Sequence, residues 1–133
     1  MSGDLRTRIY KNRWLARLAN REENSDATRV AAIDRANRGL VDADLGGGLI
    51  KQRVAREGGG KSGGYRTLVF FRQEDRAIFA FGFAKSDKAN LSADELRTYK
   101  RAAKIVLSLT QAQIDTEVRA ERLFEVIDDA QDL

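Results

Sequence analysis

Hydrophobic and polar residues alternate most regularly in the middle of the chain, between residues 49 and 85. Three segments there combine a period of two with many β-branched and aromatic residues, as strands do: 50–54, 65–71 and 76–83. A glycine-rich connection at 58–64 joins the first two, and the polar pair Glu74-Asp75 joins the second to the third. Because short connections join neighbouring strands that run in opposite directions, the pattern predicts an antiparallel meander.

The segments on either side of this meander change to helical spacing. Apolar residues three and four positions apart predict three helices, over residues 11–21, from about 26 to 38 and from about 93 to 109. Ser92 and Glu95 have the spacing of a capping box at the start of the last one. Thr110 and Gln113 repeat that spacing, which predicts a further short helix.

Two shorter stretches of alternation, residues 5–10 and 123–127, predict outer strands. Between the second helix and the meander, residues 40–48 are rich in Asp and Gly and predict a loop. The two carboxylates in this loop, Asp42 and Asp44, are too few to indicate a metal site, because protein calcium sites take about six to eight oxygen ligands. We therefore expect a turn there, and neither a metal nor another cofactor.

Composition limits the chemistry that the chain can perform. The chain is of a size for one domain over residues 1–133, and it contains no cysteine and no histidine. Thiol chemistry is therefore excluded and the usual general base is missing, so that any catalysis must use Lys, Arg, Tyr, Ser, Asp or Glu. No apolar run approaches the ~20 residues that span a bilayer, and no apolar signal segment begins the chain, so we expect a cytoplasmic protein.

Charge is distributed unevenly along the chain. Residues 49–91 contain nine Lys or Arg and four Asp or Glu, whereas residues 92–133 contain six and nine. The basic middle indicates a polyanionic partner for the predicted sheet. The letters GGGKS look like part of a P-loop, but Ala55 stands where that motif has glycine, and a strand follows instead of a helix. We therefore do not expect nucleotide hydrolysis.

A cluster of cations is predicted on one face of the meander. Lys51 and Arg53 are two residues apart and therefore project from the same side of their strand. Arg66 begins the next strand and Lys85 follows the third, so both can reach the same region. Such a cluster binds phosphate groups and supplies positive charge to a phosphoryl transition state.

Two aromatic residues near this cluster, Tyr65 and Phe83, are candidates for stacking on nucleic-acid bases. For Tyr65 the alternative is packing in the hydrophobic core, because aromatic side chains dominate the cores of small domains. For Arg66 the alternative is an ordinary charge at the edge of the sheet. The sequence alone leaves both alternatives open.

Residues 40–92 resemble the RelE/HigB-like toxins of bacterial type II toxin–antitoxin systems, and the resemblance extends more weakly to both ends of the chain. The resemblance rests on KQRVAR, KSGGYRT and GFAK, of which the last two are specific in combination. It implies an α+β fold, in which an N-terminal helical pair and C-terminal helices pack on a small antiparallel sheet of about four or five strands. It also implies an endoribonuclease that cleaves mRNA without a metal, typically in the ribosomal A site, and an antitoxin that neutralises it.

The cation cluster and the resemblance together assign roles to individual residues. Lys51, Arg66 and Lys85 are expected to be catalytic, with Lys51 as the candidate base. RNA binding is expected of five further residues: Arg53, Arg56, Lys61, Tyr65 and Phe83. Ser86 and Ser92 align where better-known members of the family have an arginine and a tyrosine, so the resemblance assigns no residue to the tyrosine's role.

Two other functions stay open at this point. A ParE-like toxin has the same ancestry but poisons gyrase instead of cleaving RNA, although KSGGYRT and GFAK argue against it. A module that binds nucleic acid without catalysis is the second alternative. For the favoured function we expect mRNA, the ribosome and a cognate antitoxin as partners, and no membrane association.

Overall fold

In the computed structural model of the protein, the described residues form a six-stranded sheet with helices on both of its faces. The structure describes residues 7–13, 15–16, 26–54, 65–84 and 91–126, and for residues 83 and 84 only the backbone. The elements in chain order are β1 (Arg8–Asn12), α1 (Asp26–Asn37), β2 (Ala43–Gly46), β3 (Leu49–Val54), β4 (Tyr65–Arg72), β5 (Arg76–Ala84), α2 (Ala93–Ser108), α3 (Gln111–Arg119) and β6 (Leu123–Glu125). The strand order across the sheet is β2-β3-β4-β5-β1-β6.

The central meander has the predicted antiparallel arrangement. β3 pairs with β4 and β4 pairs with β5, and the bounds of all three strands agree closely with the sequence pattern. A tight turn over residues 73–75 joins β4 to β5, with Glu74 in the left-handed conformation at a φ of 55°. The three predicted strands are therefore confirmed.

Two features of the sheet differ from the prediction. β1 runs parallel to β5, so the sheet is mixed rather than antiparallel. β2 lies in the stretch predicted as a loop, and it raises the number of strands in the described residues to six. Its sequence, ADLG, has no β-branched residue, and pairing with β3 rather than local preference keeps it extended. The α+β class itself is confirmed.

The N-terminal helical pair is described only in part. Residues 11 and 12 belong to β1, residues 13, 15 and 16 are helical, and the rest of the helix predicted over 11–21 lies outside the described residues. The second helix of the pair is α1, and the N–H groups of Gly39 and Leu40 donate to the carbonyl oxygens of Ala36 and Arg35 at 3.0 and 2.9 Å. Gly39 has a φ of 87°, and this left-handed glycine ends the helix and directs the chain toward β2.

Each face of the sheet carries its own hydrophobic cluster. α1 packs on one face, and the cluster there includes Ile33, Ala36, Ile50, Val69 and Phe79. α2 and α3 pack on the other face, where the cluster includes Leu49, Leu68, Phe70, Ile78, Leu107 and Ile114. Because successive residues of a strand point to opposite faces, β3 and β4 contribute side chains to both clusters.

Both C-terminal helices begin with the predicted capping boxes. Ser92 Oγ accepts a hydrogen bond from the backbone N–H of Glu95 at 3.1 Å, and the Glu95 carboxylate accepts one from the Ser92 N–H at 2.9 Å. Thr110 and Gln113 make the same two contacts at 3.1 and 2.8 Å. Each box satisfies N–H groups that a helix leaves without internal partners. Among the described helices, none has the length and apolar character needed to cross a membrane.

Gly48, in the turn between β2 and β3, allows α2 to approach the sheet closely. A Cβ atom added to Gly48 would lie 2.6 Å from Leu107 Cδ1, and the φ of 88° is left-handed. We expect Gly48→Ala to lower the free energy of unfolding by about 2 kcal/mol, because left-handed strain and overpacking both act against the native state. Urea denaturation measures the loss.

Gly39→Ala is the matched control for this prediction. Gly39 has nearly the same φ, 87°, but no atom lies within 4 Å of an added Cβ. Its loss should be about 1 kcal/mol, from backbone strain alone, so the excess at Gly48 reports the contact with Leu107. Equal losses at the two positions would contradict the prediction, because they would show that Leu107 moves aside at no cost.

Candidate functional site

Two of the predicted cations lie directly opposite each other. Arg53 in β3 and Arg66 in β4 are partners in the strand register. The Arg53 N–H donates to Asp42 Oδ2 at 2.6 Å, and the Arg53 carbonyl oxygen accepts a hydrogen bond from Arg35 Nη2 at 2.6 Å. Both backbone groups of Arg53 therefore point away from β4. Arg53 and Arg66 thus form a non-hydrogen-bonded pair, the type in which side chains are closest, with Cα atoms about 4.5 Å apart.

Lys51 is on the same face of the sheet as this pair, because it precedes Arg53 by two residues in β3. Leu49 and Leu68 are on this face too and are buried in the cluster beneath α2, with Leu68 directly opposite Lys51. The cations therefore border the covered apolar part of the face. Lys51 and Arg66 are half-buried, and Arg53 is exposed.

Opposed arginines are an unfavourable arrangement for a sheet. Like charges in directly opposite positions destabilise strand pairing, so Arg53 and Arg66 do not contribute favourably to each other. A bound anion offsets the repulsion between the two guanidinium groups. Guanidinium groups also bind phosphate oxygens through two parallel hydrogen bonds. The geometry of this pair, with Lys51 beside it, therefore suits a phosphate ligand.

An aromatic pair lies next to the cations. Phe81 in β5 is opposite Leu68, which is opposite Lys51, so the three residues form a row across the sheet. Tyr99 of α2 contacts Phe81, with ring centroids 6.1 Å apart and ring planes at 46°. Burial raises the pKa of Tyr99, and the nearby Glu95 carboxylate raises it further, so the phenol keeps its proton at neutral pH.

Sequence reasoning missed the contact of Tyr99 with Phe81. The helical period places Tyr99 on the inner face of α2, but it does not show which strand that face meets. The contact with Phe81 depends on long-range packing. No local signal in the sequence would have identified it.

Tyr65 does not lie on the cationic face. It pairs with Val54, it is 4% exposed, and strand alternation directs it to the face opposite that of Arg66. The structure therefore supports the alternative that Tyr65 is a core residue, and it does not bring Tyr65 to the cations as a stacking platform. Side chains of adjacent residues in a strand point to opposite faces, so Tyr65 and Arg66 do not share one face.

The other predicted site residues fall into two groups. The backbone of Phe83 pairs with Arg66, which puts Phe83 in register with the cations, and Ser92 is the N-cap of α2. Four predicted residues lie outside the described part of the chain: Arg56, Lys61, Lys85 and Ser86. Their assigned roles stay predictions.

The two aspartates before the meander have structural partners. The Asp42 carboxylate accepts the Arg53 N–H, and Asp44 Oδ1 accepts the Gly46 N–H at 2.9 Å. Within the described residues, no group of three or more acidic side chains is arranged to hold a metal ion. Asp42 therefore acts at the edge of β3, and Asp44 bonds to the end of its own strand β2, in a segment that was predicted as a loop.

Comparison with known proteins gives one result. A family model described as the RelE toxin of the RelE / RelB toxin-antitoxin system matches residues 7–126. A search of curated proteins finds no match. The matched range includes every described strand and helix, and with them the cationic face.

Proposed function

Because the chain belongs to the RelE toxin family and is thus the toxin of a toxin–antitoxin system, we propose that it is an endoribonuclease that cleaves mRNA. One structural observation supports the proposal in addition to family membership. Arg53 and Arg66 face each other in a non-hydrogen-bonded pair, with Lys51 beside them. Like charges directly opposite each other are unfavourable for strand pairing, and a phosphodiester is a ligand that guanidinium groups bind through parallel hydrogen bonds.

The chemistry of RNA cleavage fits these residue types. The 2′-OH of the ribose must lose a proton, and the 5′-oxygen that leaves must gain one. Between these events, the negative charge on the oxygens of the pentacoordinate phosphorane must be stabilised. Lys51 is the candidate base, because a lysine can release a proton whereas a guanidinium effectively cannot. We assign charge stabilisation to Arg66 and phosphate binding to Arg53. Lys85 keeps its predicted catalytic role.

The aromatic pair of Phe81 and Tyr99 borders the site on the side of α2. Its rings offer apolar surface to a nucleotide whose phosphate is held by the arginines. The protonated phenol of Tyr99 can donate a hydrogen bond to such a ligand. We assign to this pair the base-stacking role for which Tyr65 was a candidate.

The partners follow from the same proposal. A toxin of this family is neutralised by an antitoxin, and the cationic face is suited to an acidic segment of it. The ribosome is the proposed place of action, because an enzyme without histidine gains most from a substrate that is oriented for it. Action on mRNA at the ribosome implies a cytoplasmic location, which is part of the same proposal.

Induced expression without the antitoxin is expected to stop growth and to produce new mRNA 5′ ends within coding regions. Cleavage creates the new 5′ ends, and growth stops because a cleaved mRNA does not yield a complete protein. Growth curves and transcriptome-wide 5′-end mapping measure the two effects. A protein with Arg66→Ala, expressed to the same level, is the control and should leave mRNA intact.

Normal growth with intact mRNA, at confirmed soluble expression, would contradict the proposal. Growth arrest with intact mRNA and broken DNA would instead support the gyrase alternative. Binding of RNA without new 5′ ends would support the non-catalytic alternative. The experiment therefore separates the three functions that the sequence left open.

A further inference from the structure

We propose that Asp42 and Arg35 are positioning residues that hold the backbone of Arg53 and thereby fix its side chain for RNA phosphate. The inference rests on the proposed RNA-binding function of the cationic face. It concerns two residues that do not themselves touch the ligand. Asp42 lies just before β2, and Arg35 lies in the last turn of α1.

The clamp continues the contacts of β3 beyond the end of β2. Among the described residues, β2 is the strand beside β3 on that side, and it pairs with β3 only as far as Ala43 opposite Lys51. An N–H and a carbonyl at such an edge otherwise face solvent or a foreign strand. Here Asp42 Oδ2 receives the N–H and Arg35 Nη2 donates to the carbonyl, both at 2.6 Å. Arg53 is thereby held on both sides like a residue inside a sheet.

The clamp is itself anchored in the core. The backbone N–H of Asp42 donates to Gln52 Oε1 at 3.1 Å. The Gln52 side chain is 1% exposed, and its amide nitrogen donates to the carbonyl oxygens of Ala32 and Leu40 at 2.9 and 3.0 Å. One buried amide therefore ties the segment that carries Asp42 to α1 and β3. The hydrogen bond to Gln52 fixes the position of Asp42, and a residue that positions another group must itself be held in place.

The sign of the Asp42 charge makes the inference testable. A carboxylate near a phosphate-binding arginine repels RNA through space, so removing it should tighten RNA binding if charge alone matters. If the hydrogen bond to Arg53 matters more, removing the carboxylate should weaken RNA binding. The two explanations predict opposite signs for the same substitution.

The experiment measures binding of a fluorescein-labelled single-stranded RNA oligonucleotide by anisotropy across a salt series. Asp42→Ala should weaken binding severalfold and lower the slope of log affinity against log salt by up to about one, as expected when one phosphate contact is lost. Arg53→Ala should give the same change. Asp42→Asn keeps an acceptor oxygen for the Arg53 N–H, and it should bind RNA at least as tightly as the unmodified protein.

Two control variants separate the clamp from general charge effects. Asp44→Ala removes the same charge two residues further along the chain, in β2, but the Asp44 carboxylate accepts the Gly46 N–H and not the Arg53 N–H, so RNA binding should not weaken. Arg38→Ala removes a cation from the end of α1 without touching Arg53, and it is the control for Arg35→Ala. The Arg35→Ala variant should weaken RNA binding more than Arg38→Ala does.

A double-mutant cycle tests the coupling directly. Asp42→Ala should add nothing in an Arg53→Ala background, because its effect acts through Arg53. Unchanged or tighter binding by Asp42→Ala would overturn the inference, and so would an Arg53→Ala variant that binds RNA normally. The proposed function would survive either result if Arg66→Ala still abolished cleavage, so the two failures are distinguishable.

Discussion

Replacement of Arg66 by alanine should slow RNA cleavage by on the order of 100-fold or more. Arg66 faces Arg53 across the non-hydrogen-bonded pair, and a guanidinium there stabilises negative charge that grows on the phosphate during cleavage. Folding should be unaffected within ~0.5 kcal/mol, since the substitution also removes a repulsion between opposed cations. Primer extension on mRNA in a translating extract measures cleavage, and urea denaturation measures stability.

Arg72→Ala is the matched control for Arg66→Ala. Arg72 is in the same strand and on the same face, but it lies at the far end and forms an ion pair with Asp75. Loss of this exposed pair should change neither cleavage nor stability appreciably. Arg66→Lys retains the charge without the planar fork and should be intermediate. Cleavage by Arg66→Ala within threefold of normal, about 0.7 kcal/mol, would remove Arg66 from the site.

Local patterns were sufficient to predict most of the elements. The capping boxes at Ser92 and Thr110 identify where α2 and α3 begin, because the hydrogen bonds that start a helix are made within four residues. The meander can be predicted from the sequence for a similar reason, since short connections restrict which strands can be neighbours. The parallel pairing of β1 with β5 cannot be predicted from local patterns, because many residues separate the two strands and no sequence motif specifies their register.

The cation cluster was predictable only in part. Strand periodicity puts Lys51 and Arg53 on one face without any knowledge of the fold. That Arg66 stands opposite Arg53 depends on the register of β3 and β4, which a glycine-rich connection leaves undefined in the sequence. The clamp at Arg53 was not predictable, because the pattern around Asp42 indicates only a turn. The sequence thus identifies the residue types of the site, and the pairing of strands determines their geometry.

A buried arginine at the opposite end of the same face holds α2 on the sheet. Arg76 in β5 is 5% exposed, and its Nη1 donates to the carbonyl oxygens of Val106 and Leu109 at 3.1 and 2.8 Å. These carbonyls lie at the end of α2, whose last turn contains no basic residue of its own. A cation from the sheet therefore satisfies carbonyl groups and the negative end of the helix dipole together.

Arg76→Ala should lower the free energy of unfolding by about 3 kcal/mol, because the Val106 and Leu109 carbonyl groups each lose a hydrogen bond from a charged donor and a buried side chain leaves a cavity. Arg76→Met separates these causes, since it restores much of the volume without a donor and should recover only part of the loss. Urea denaturation gives both values. Because α2 also carries Tyr99 to Phe81, loosening the helix should shift the Tyr99 ring, which ring-proton NMR detects. Unchanged stability in Arg76→Ala would show that the end of α2 is held by apolar packing alone, through residues such as Leu107.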